Sequence, residues 1–242
     1  MRTALVTGAS RGLGKETSTQ LEERGYRVIP TSRSGEWKLD VTNDASVRAM
    51  ADRLRREGIS LDVLVDNAGI SMKGFDEKVA RGTLDTNFFG ALRVTDALLP
   101  LMHDGGNVVM VSSGMGEIDV IPSRALRAKL MDPKLSRDAL VALMNAFVTE
   151  VAHGTHEKHG WPSSAYSVSK VGLNALVRVL ARDLAPRHIR VNAVCPGWVK
   201  TDMGGPHAER DVSEGAASIV EMAAPEKGPT GGFFRDGAAI PW

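Results

Sequence analysis

The chain has 242 residues, 43% hydrophobic and 24% charged, the balance of a soluble globular protein, which excludes disordered, collagen-like and coiled-coil architectures. Thirty Lys and Arg against 29 Asp and Glu leave a formal charge of +1 with no run of one sign, so neither nucleic acid nor an anionic membrane is an expected partner and a small molecule is. The single cysteine, Cys195, rules out an intrachain disulfide and a Cys-rich zinc site, and it reads as a packed core residue.

No apolar run reaches the ~18 residues of a membrane span, and the start MRTALVTGASRG has no signal-peptide cleavage pattern, so the expectation is a soluble, cytoplasmic protein. Short β-rich runs stand at residues 3–7, 26–31, 61–65, 107–112, 189–194 and, weakly, 232–234. Helical spacing of apolar residues fills most of the intervals, at residues 12–24, 44–57, 78–103 and 164–185. This alternation predicts βαβ units. Near-continuous apolar strands such as LDVLV and NVVMV predict burial on both faces, hence one doubly wound α/β domain over residues 1–242, a parallel sheet with helices on each side. Ligands in such folds bind beyond the carboxyl ends of the strands, so functional residues belong just after each apolar run.

After the first strand comes TGASRGLGKET, with a helical pattern beginning at once. In that setting Gly8 can make the tight turn, Gly12 can let backbone approach a diphosphate, and Gly14 can allow close helix-to-strand packing. The plain alternative is a structural βα turn without ligand. A nucleotide triphosphatase loop is excluded, because Gly14-Lys15 is followed by Glu16 and no glycine stands five positions before Gly14. The second strand ends in Pro30-Thr31-Ser32-Arg33, where NAD-binding proteins place an acid against the ribose 2′-hydroxyl. Here Arg33, helped by Arg11, can instead hold a 2′-phosphate, which favours NADP(H); either arginine alone would read as an ordinary surface residue.

Tyr166 and Lys170 lie four apart in a predicted helix, on one face. A fixed ammonium stabilises phenolate and is expected to lower the tyrosine pKa from about 10 toward the working range. Such a pair alone usually marks a solvated helix face. It gains weight from Ser112-Ser113 at the end of an apolar strand, where a hydroxyl can polarise a carbonyl oxygen held between serine and tyrosine. Two other constellations fail: Gly154 interrupts any helix aligning His153, His156 and His159, so no metal site is expected, and Val111 breaks the Gly-x-Ser-x-Gly of a serine hydrolase.

With TGASRGLG at 7–14, DNAG at 66–69, Asn87, Ser112-Ser113, YSVSK at 166–170 and PGWVKTDM at 196–203, the sequence resembles the short-chain dehydrogenase/reductase family over nearly its whole length. Within it, GWPSSAYSVSK, CPGWVKTDM and GPTGGFFRDGAAIPW look most like the monomeric NADPH-dependent carbonyl reductases. The resemblance implies a Rossmann-type fold. It also implies that Ser113 orients the substrate carbonyl, Tyr166 donates the proton, Lys170 binds the nicotinamide ribose and lowers the tyrosine pKa, and Asn87 holds a proton-relay water. By the same resemblance Ser10 and Leu13 join the glycine loop at the cofactor, Asp40 and its neighbour Val41 contact the adenine end, and Asn67 and Gly69 line the cleft. Pro196, Gly197, Val199 and Thr201 would embrace the nicotinamide. Met115, Trp198 and Met203 fall where the carbonyl reductases build an apolar substrate pocket, although such residues are as often plain packing. Asp66 stands where the family usually has a second asparagine, and it reads as structural.

The expected reaction is hydride transfer from NADPH to the carbonyl carbon of a ketone, aldehyde or quinone. The rivals are an NAD-dependent alcohol dehydrogenase of the same family and a non-enzymatic dinucleotide sensor that binds partners, against which the intact Asn87, Ser113, Tyr166 and Lys170 argue. Finally, residues 123–130 and 136–151 read as helices within an insertion over about 117–160. Many short-chain reductases associate through the long helices after the fourth and fifth strands. An insertion packed over that surface predicts a monomer, the alternative being a lid over the active site.

Overall fold

The computed structural model describes residues 1–225 and 227–242. One sheet of order β2-β1-β3-β4-β5-β6-β7 is built from β1 (Thr3–Val6), β2 (Arg27–Pro30), β3 (Leu61–Asp66), β4 (Met102–Val111), β5 (Arg190–Val194), β6 (Phe233–Arg235) and β7 (Ala238–Ala239). All neighbours pair in parallel except β6 and β7, which form an antiparallel hairpin. Alternate residues of each strand serve opposite cores, Leu5, Leu64, Val108 and Met110 on one face and Val6, Val65, Val109 and Val111 on the other. Burial on both sides is why the strands read as near-continuous apolar runs.

The first face is covered by α2 (Asp44–Arg56), α3 (Glu77–Leu84), α4 (Ala91–Leu98), α5 (Arg124–Met131), α6 (Arg137–Ala152) and α7 (Ala165–Asp183). The second is covered by α1 (Gly12–Glu23) and α8 (Val212–Ala223). Asn43, Asp76, Ser123, Ser136 and Ser164 each accept a backbone N–H of the first turn and so fix where α2, α3, α5, α6 and α7 begin. Strand order reverses between β1 and β3, which opens a crevice at their carboxyl ends.

Three departures from the sequence pattern are physical. The single helix expected over residues 78–103 is α3, a π-turn (Asp85–Gly90), α4 and a 3-10 turn (Leu99–Leu101) containing Pro100, and residues 102 and 103 already belong to β4. Proline has no N–H to continue the helix. Second, α8 is not among the expected helices, although Asp211 and Glu214 form a capping box at its start. Third, α5 and α6 cover α3, which follows β3, and α7, which follows β4, where the helices after the fourth and fifth strands were expected. The segment between β2 and α2 contributes only a bridge between Ser32 and Lys38 to the count.

At the end of β3 the side chain of Asp66 is buried against α4, where Oδ2 accepts from Thr95 Oγ1 at 2.9 Å while Oδ1 has no partner among the described residues. Burial pushes its carboxyl up to about 7, the Thr95 hydroxyl pulling weakly the other way. A raised folded-state pKa means that the native protein holds a proton the unfolded chain has released, so this contribution is full at low pH and is lost as pH rises through about 7. Asp66→Asn removes the titration. Chemical denaturation between pH 5 and pH 8 should show the variant gaining on the wild type by about 2–3 kcal/mol as pH rises, at 1.36 kcal/mol per unit. A gap that stays constant with pH would mean Asp66 is ionised throughout.

Candidate active site

The crevice between β1 and β3 is braced from below. Thr7 Oγ1 accepts the N–H groups of Asn67 and Ala68, both at 2.9 Å, and Asn67 Nδ2 donates to the Thr7 carbonyl at 2.8 Å and the Gly8 carbonyl at 3.3 Å. The Asn67 side chain therefore holds the glycine loop rather than facing a ligand. Gly8 has φ +65°, a left-handed turn open to glycine. A Cβ on Gly14 would lie 2.4 Å from Asn67 Nδ2 and 2.5 Å from the Gly8 oxygen, so the first turn of α1 can sit on the loop only without a side chain. The start of α1 has no side-chain cap, so its leading N–H groups are left without a capping side chain. This cradle fits the diphosphate of a dinucleotide.

Arg33, beyond β2, has no hydrogen bond or ion pair among the described residues and stands exposed. Arg11 is exposed as well, and its Nη1 pairs at 2.6 Å with Asp202, in the loop after β5. Asp40 bonds within its own turn: Oδ1 accepts from the N–H and hydroxyl of Thr42, bonds that lower its pKa, and Arg33 and Arg93 lower it further. Val41 is buried, its carbonyl accepting from Arg93. Ser10 is exposed and Leu13 packs toward Gly215.

Lys170 and Tyr166 leave α7 on the face that meets the end of β4. The ammonium is buried and donates to the Val111 carbonyl at 2.8 Å, and it lies 5.6 Å from the Tyr166 ring centroid. Ser113 lies just beyond β4, its Oγ accepting the Met115 N–H at 3.2 Å, which leaves the hydroxyl hydrogen free to donate. The phenol's pKa is raised by burial, the Ser113 hydroxyl lowering it in part and Cys195 raising it again. The direction is opposite to that expected from the ammonium alone, because desolvation of a buried phenolate outweighs a cation committed to a carbonyl. Burial also brings the Lys170 ammonium down to about 8, Cys195 opposing. At neutral pH the site thus holds a protonated phenol beside a charged ammonium.

Asn87 sits in the π-turn and closes the crevice from the side. Its Nδ2 donates to the Ile70 carbonyl at 2.9 Å and to Ser169 Oγ at 3.0 Å, and its Oδ1 accepts the Ile70 N–H at 2.8 Å. Both amide hydrogens are used, and one Oδ1 lone pair remains for a water. Gly69 lies between this oxygen and Lys170: a Cβ there would be 3.4 Å from Asn87 Oδ1 and 3.7 Å from Lys170 Nζ.

The fourth wall is the loop after β5. Pro196 and Val199 are buried, Gly197 takes φ +83°, and Thr201 Oγ1 accepts the Gly204 N–H at 3.1 Å. Met115, Trp198 and Met203 are each about half exposed (51%, 51% and 50%), with Trp198 Nε1 donating to the Gly204 carbonyl at 2.9 Å, so they rim the site rather than fill the core. Three supporting residues escaped the sequence reading: Thr7, Ser169, and Asn174, whose Nδ2 donates to the Gly116 carbonyl at 3.0 Å. Asn174 was legible as the next i,i+4 position after Lys170. Elsewhere His156 bonds Ser163 and His159 pairs with Glu150, each histidine with its own partner.

Comparison with known proteins agrees with this architecture. The short chain dehydrogenase profile matches residues 2–125, and that of the enoyl-(acyl carrier protein) reductases matches residues 146–225. Carbonyl reductase [NADPH] 1 of Mus musculus is 39% identical over 270 aligned positions, covering 99% of this chain and 98% of the relative. The Homo sapiens protein of the same name is 42% identical over 218 positions, covering 85% of this chain and 78% of its own. The structure of salutaridine reductase from Papaver somniferum superposes with a TM-score of 0.90 at 29% identity, covering 98% of this chain and 100% of that one.

The cradle makes its own prediction. Gly14→Ala adds the better helix former, yet its Cβ must displace the Gly8 backbone, so overpacking should win and destabilise the ligand-free protein by about 1–3 kcal/mol. Thermal unfolding would then show a midpoint several degrees lower. An unchanged or higher midpoint would mean that α1 can move off the loop.

Proposed function

Because the chain belongs to the short-chain dehydrogenase family, we propose that it is an NADPH-dependent carbonyl reductase acting on ketones, aldehydes or quinones. The observation that carries this reading is the meeting of a free serine hydroxyl, a protonated phenol and a buried ammonium beside the glycine cradle. The names of the full-length relatives support the cofactor and the carbonyl chemistry. The unpaired Arg33 beyond β2 accords with a 2′-phosphate.

Bound NADPH supplies the hydride that adds to the carbonyl carbon. As it does, the C=O π pair moves onto oxygen and takes the proton of Tyr166, leaving phenolate and an alcohol. Burial keeps the phenol protonated at neutral pH, so the acid needed for reduction is the form that prevails. Ser113 donates its hydroxyl hydrogen to the same oxygen and stabilises the charge developing there. Lys170 binds the cofactor ribose and steadies the phenolate once formed, and Asn87 receives the relay water through which the proton is restored. Pro196, Gly197, Val199 and Thr201 line the nicotinamide end, and Met115, Trp198 and Met203 select an apolar substrate body. The residues act mainly by position and by fixed charge. A cytoplasmic setting suits a chain whose one thiol is free and buried.

We also read the chain as one domain that works as a monomer. The surface of α7 away from the sheet is covered in cis: Arg178 Nη1 donates to the Met131 carbonyl at 3.3 Å, and Arg182 Nη1 to the Pro133 and Leu135 carbonyls at 2.9 and 3.0 Å. These bonds hold the α5–α6 connection on α7, and Phe147 meets Trp161 in a tilted ring contact with centroids 5.3 Å apart. Apolar surface that a second subunit would cover is already buried.

Tyr166→Phe keeps the ring and the helix while removing the proton, so turnover should fall by at least ~100-fold with NADPH affinity nearly unchanged. A Phe variant that reduces its best carbonyl at the wild-type rate would defeat the mechanism. Sedimentation at micromolar concentration should give one species near 25.9 kDa. A mass twice that would defeat the cis-cover argument, whatever the activity.

A further inference from the structure

We propose that Asp202 competes with the cofactor's 2′-phosphate for Arg11, and so limits how strongly the protein prefers NADPH over NADH. This rests on the reading of the protein as an NADPH enzyme, and it concerns a residue outside the reacting groups. Arg11 belongs to the loop between β1 and α1, Asp202 to the loop after β5, and their ion pair at 2.6 Å joins two walls of the cofactor cleft. The walls also touch beside the pair, since a Cβ on Gly12 would lie 3.5 Å from Thr201 Cγ2.

The neighbouring charges leave Asp202 dependent on Arg11. Lys200 is bound to Asp211 at 2.8 Å, and Arg210 is held by Asp236 at 2.8 Å, so the other cations of this loop are committed. Among the described residues Arg11 has no second anion and Asp202 no second cation. Both side chains are about three-quarters exposed, at 76% and 73%. Such a pair is weak and exchangeable. A phosphate carries more charge than a carboxylate and presents three acceptor oxygens to a guanidinium, so it can take Arg11 from Asp202. The exchange subtracts from NADPH binding what the ion pair was worth. NADH has no 2′-phosphate, leaves the pair intact and loses nothing. Arg33, with no ion pair among the described residues and only the Asp40 charge acting on it, is the less contested cation of the site and Arg11 the more contested one.

The test is equilibrium binding followed by cofactor fluorescence, with NADPH and NADH each titrated into wild type, Asp202→Asn, Arg11→Ala and the double variant. Asp202→Asn should tighten NADPH about two- to five-fold, the range of an exposed ion pair, with NADH unchanged and the gain shrinking at high salt. In the Arg11→Ala background the same substitution should do nothing. Unchanged NADPH affinity in Asp202→Asn, an equal gain for NADH, or a gain that survives loss of Arg11 would each overturn the proposal, the last two by showing a general opening of the loop or a long-range charge effect. Wild type without any preference for NADPH would instead overturn the cofactor reading and this inference with it, so the two failures are told apart by the wild-type titrations.

Discussion

An ammonium buried in a protein must find a partner, and here the partner is a main-chain oxygen: Lys170 Nζ donates to the carbonyl of Val111 at the last position of β4. That bond ties the long helix α7 to the end of a central strand, and the site is assembled around it. Ser113 follows Val111 by two residues, and Tyr166 precedes Lys170 by one helical turn, so one hydrogen bond brings hydroxyl and phenol to the same edge. The turn carrying Ser113 is pressed onto α7 closely enough that a Cβ on Gly116 would lie 2.9 Å from Lys170 Cβ, and Asn174 clamps the same turn through the Gly116 carbonyl. The helix thereby sets the spacing between the reacting groups, and a rigid element holds it better than a loop could.

The same burial sets the protonation states. Taking the phenol and the ammonium out of water disfavours the charged form of each, so the tyrosine moves up and the lysine moves down to about 8. The two values move apart, the phenol's upward and the ammonium's downward, while both groups remain protonated at neutral pH. For a reduction that ends with a proton on oxygen this is the useful arrangement. In the mechanism proposed above, the acid is then loaded, and a cation stands beside the phenolate it would become. A lysine pairing directly with the tyrosine would have worked against this rise, but Val111 has first claim on the ammonium.

Away from this centre the cleft is bounded by charges that work on a different scale. Arg11, Arg33 and Asp202 are exposed and screened, so each contributes little and can change partners, whereas Lys170 is buried and keeps its bond to the Val111 carbonyl.

The sequence by itself determined the sheet, because a strand buried on both faces must be apolar at every position and such runs can be read directly from LDVLV and NVVMV. It also determined the glycine loop, the serine after β4 and the Tyr-Lys pair, since each depends on residue type at short, fixed spacing. It left α8 unread although Asp211 and Glu214 mark its start, and it ran α3, the π-turn and α4 together as one helix, since apolar periodicity continues across a change of helix type. Tertiary structure alone decided the rest: that Asn67 braces the loop, that Arg11 faces Asp202, and that the phenol's pKa rises where a neighbouring ammonium suggested a fall. Each of these turns on which groups meet across more than fifty residues of chain and on how much water their meeting excludes, and neither quantity is local to the sequence.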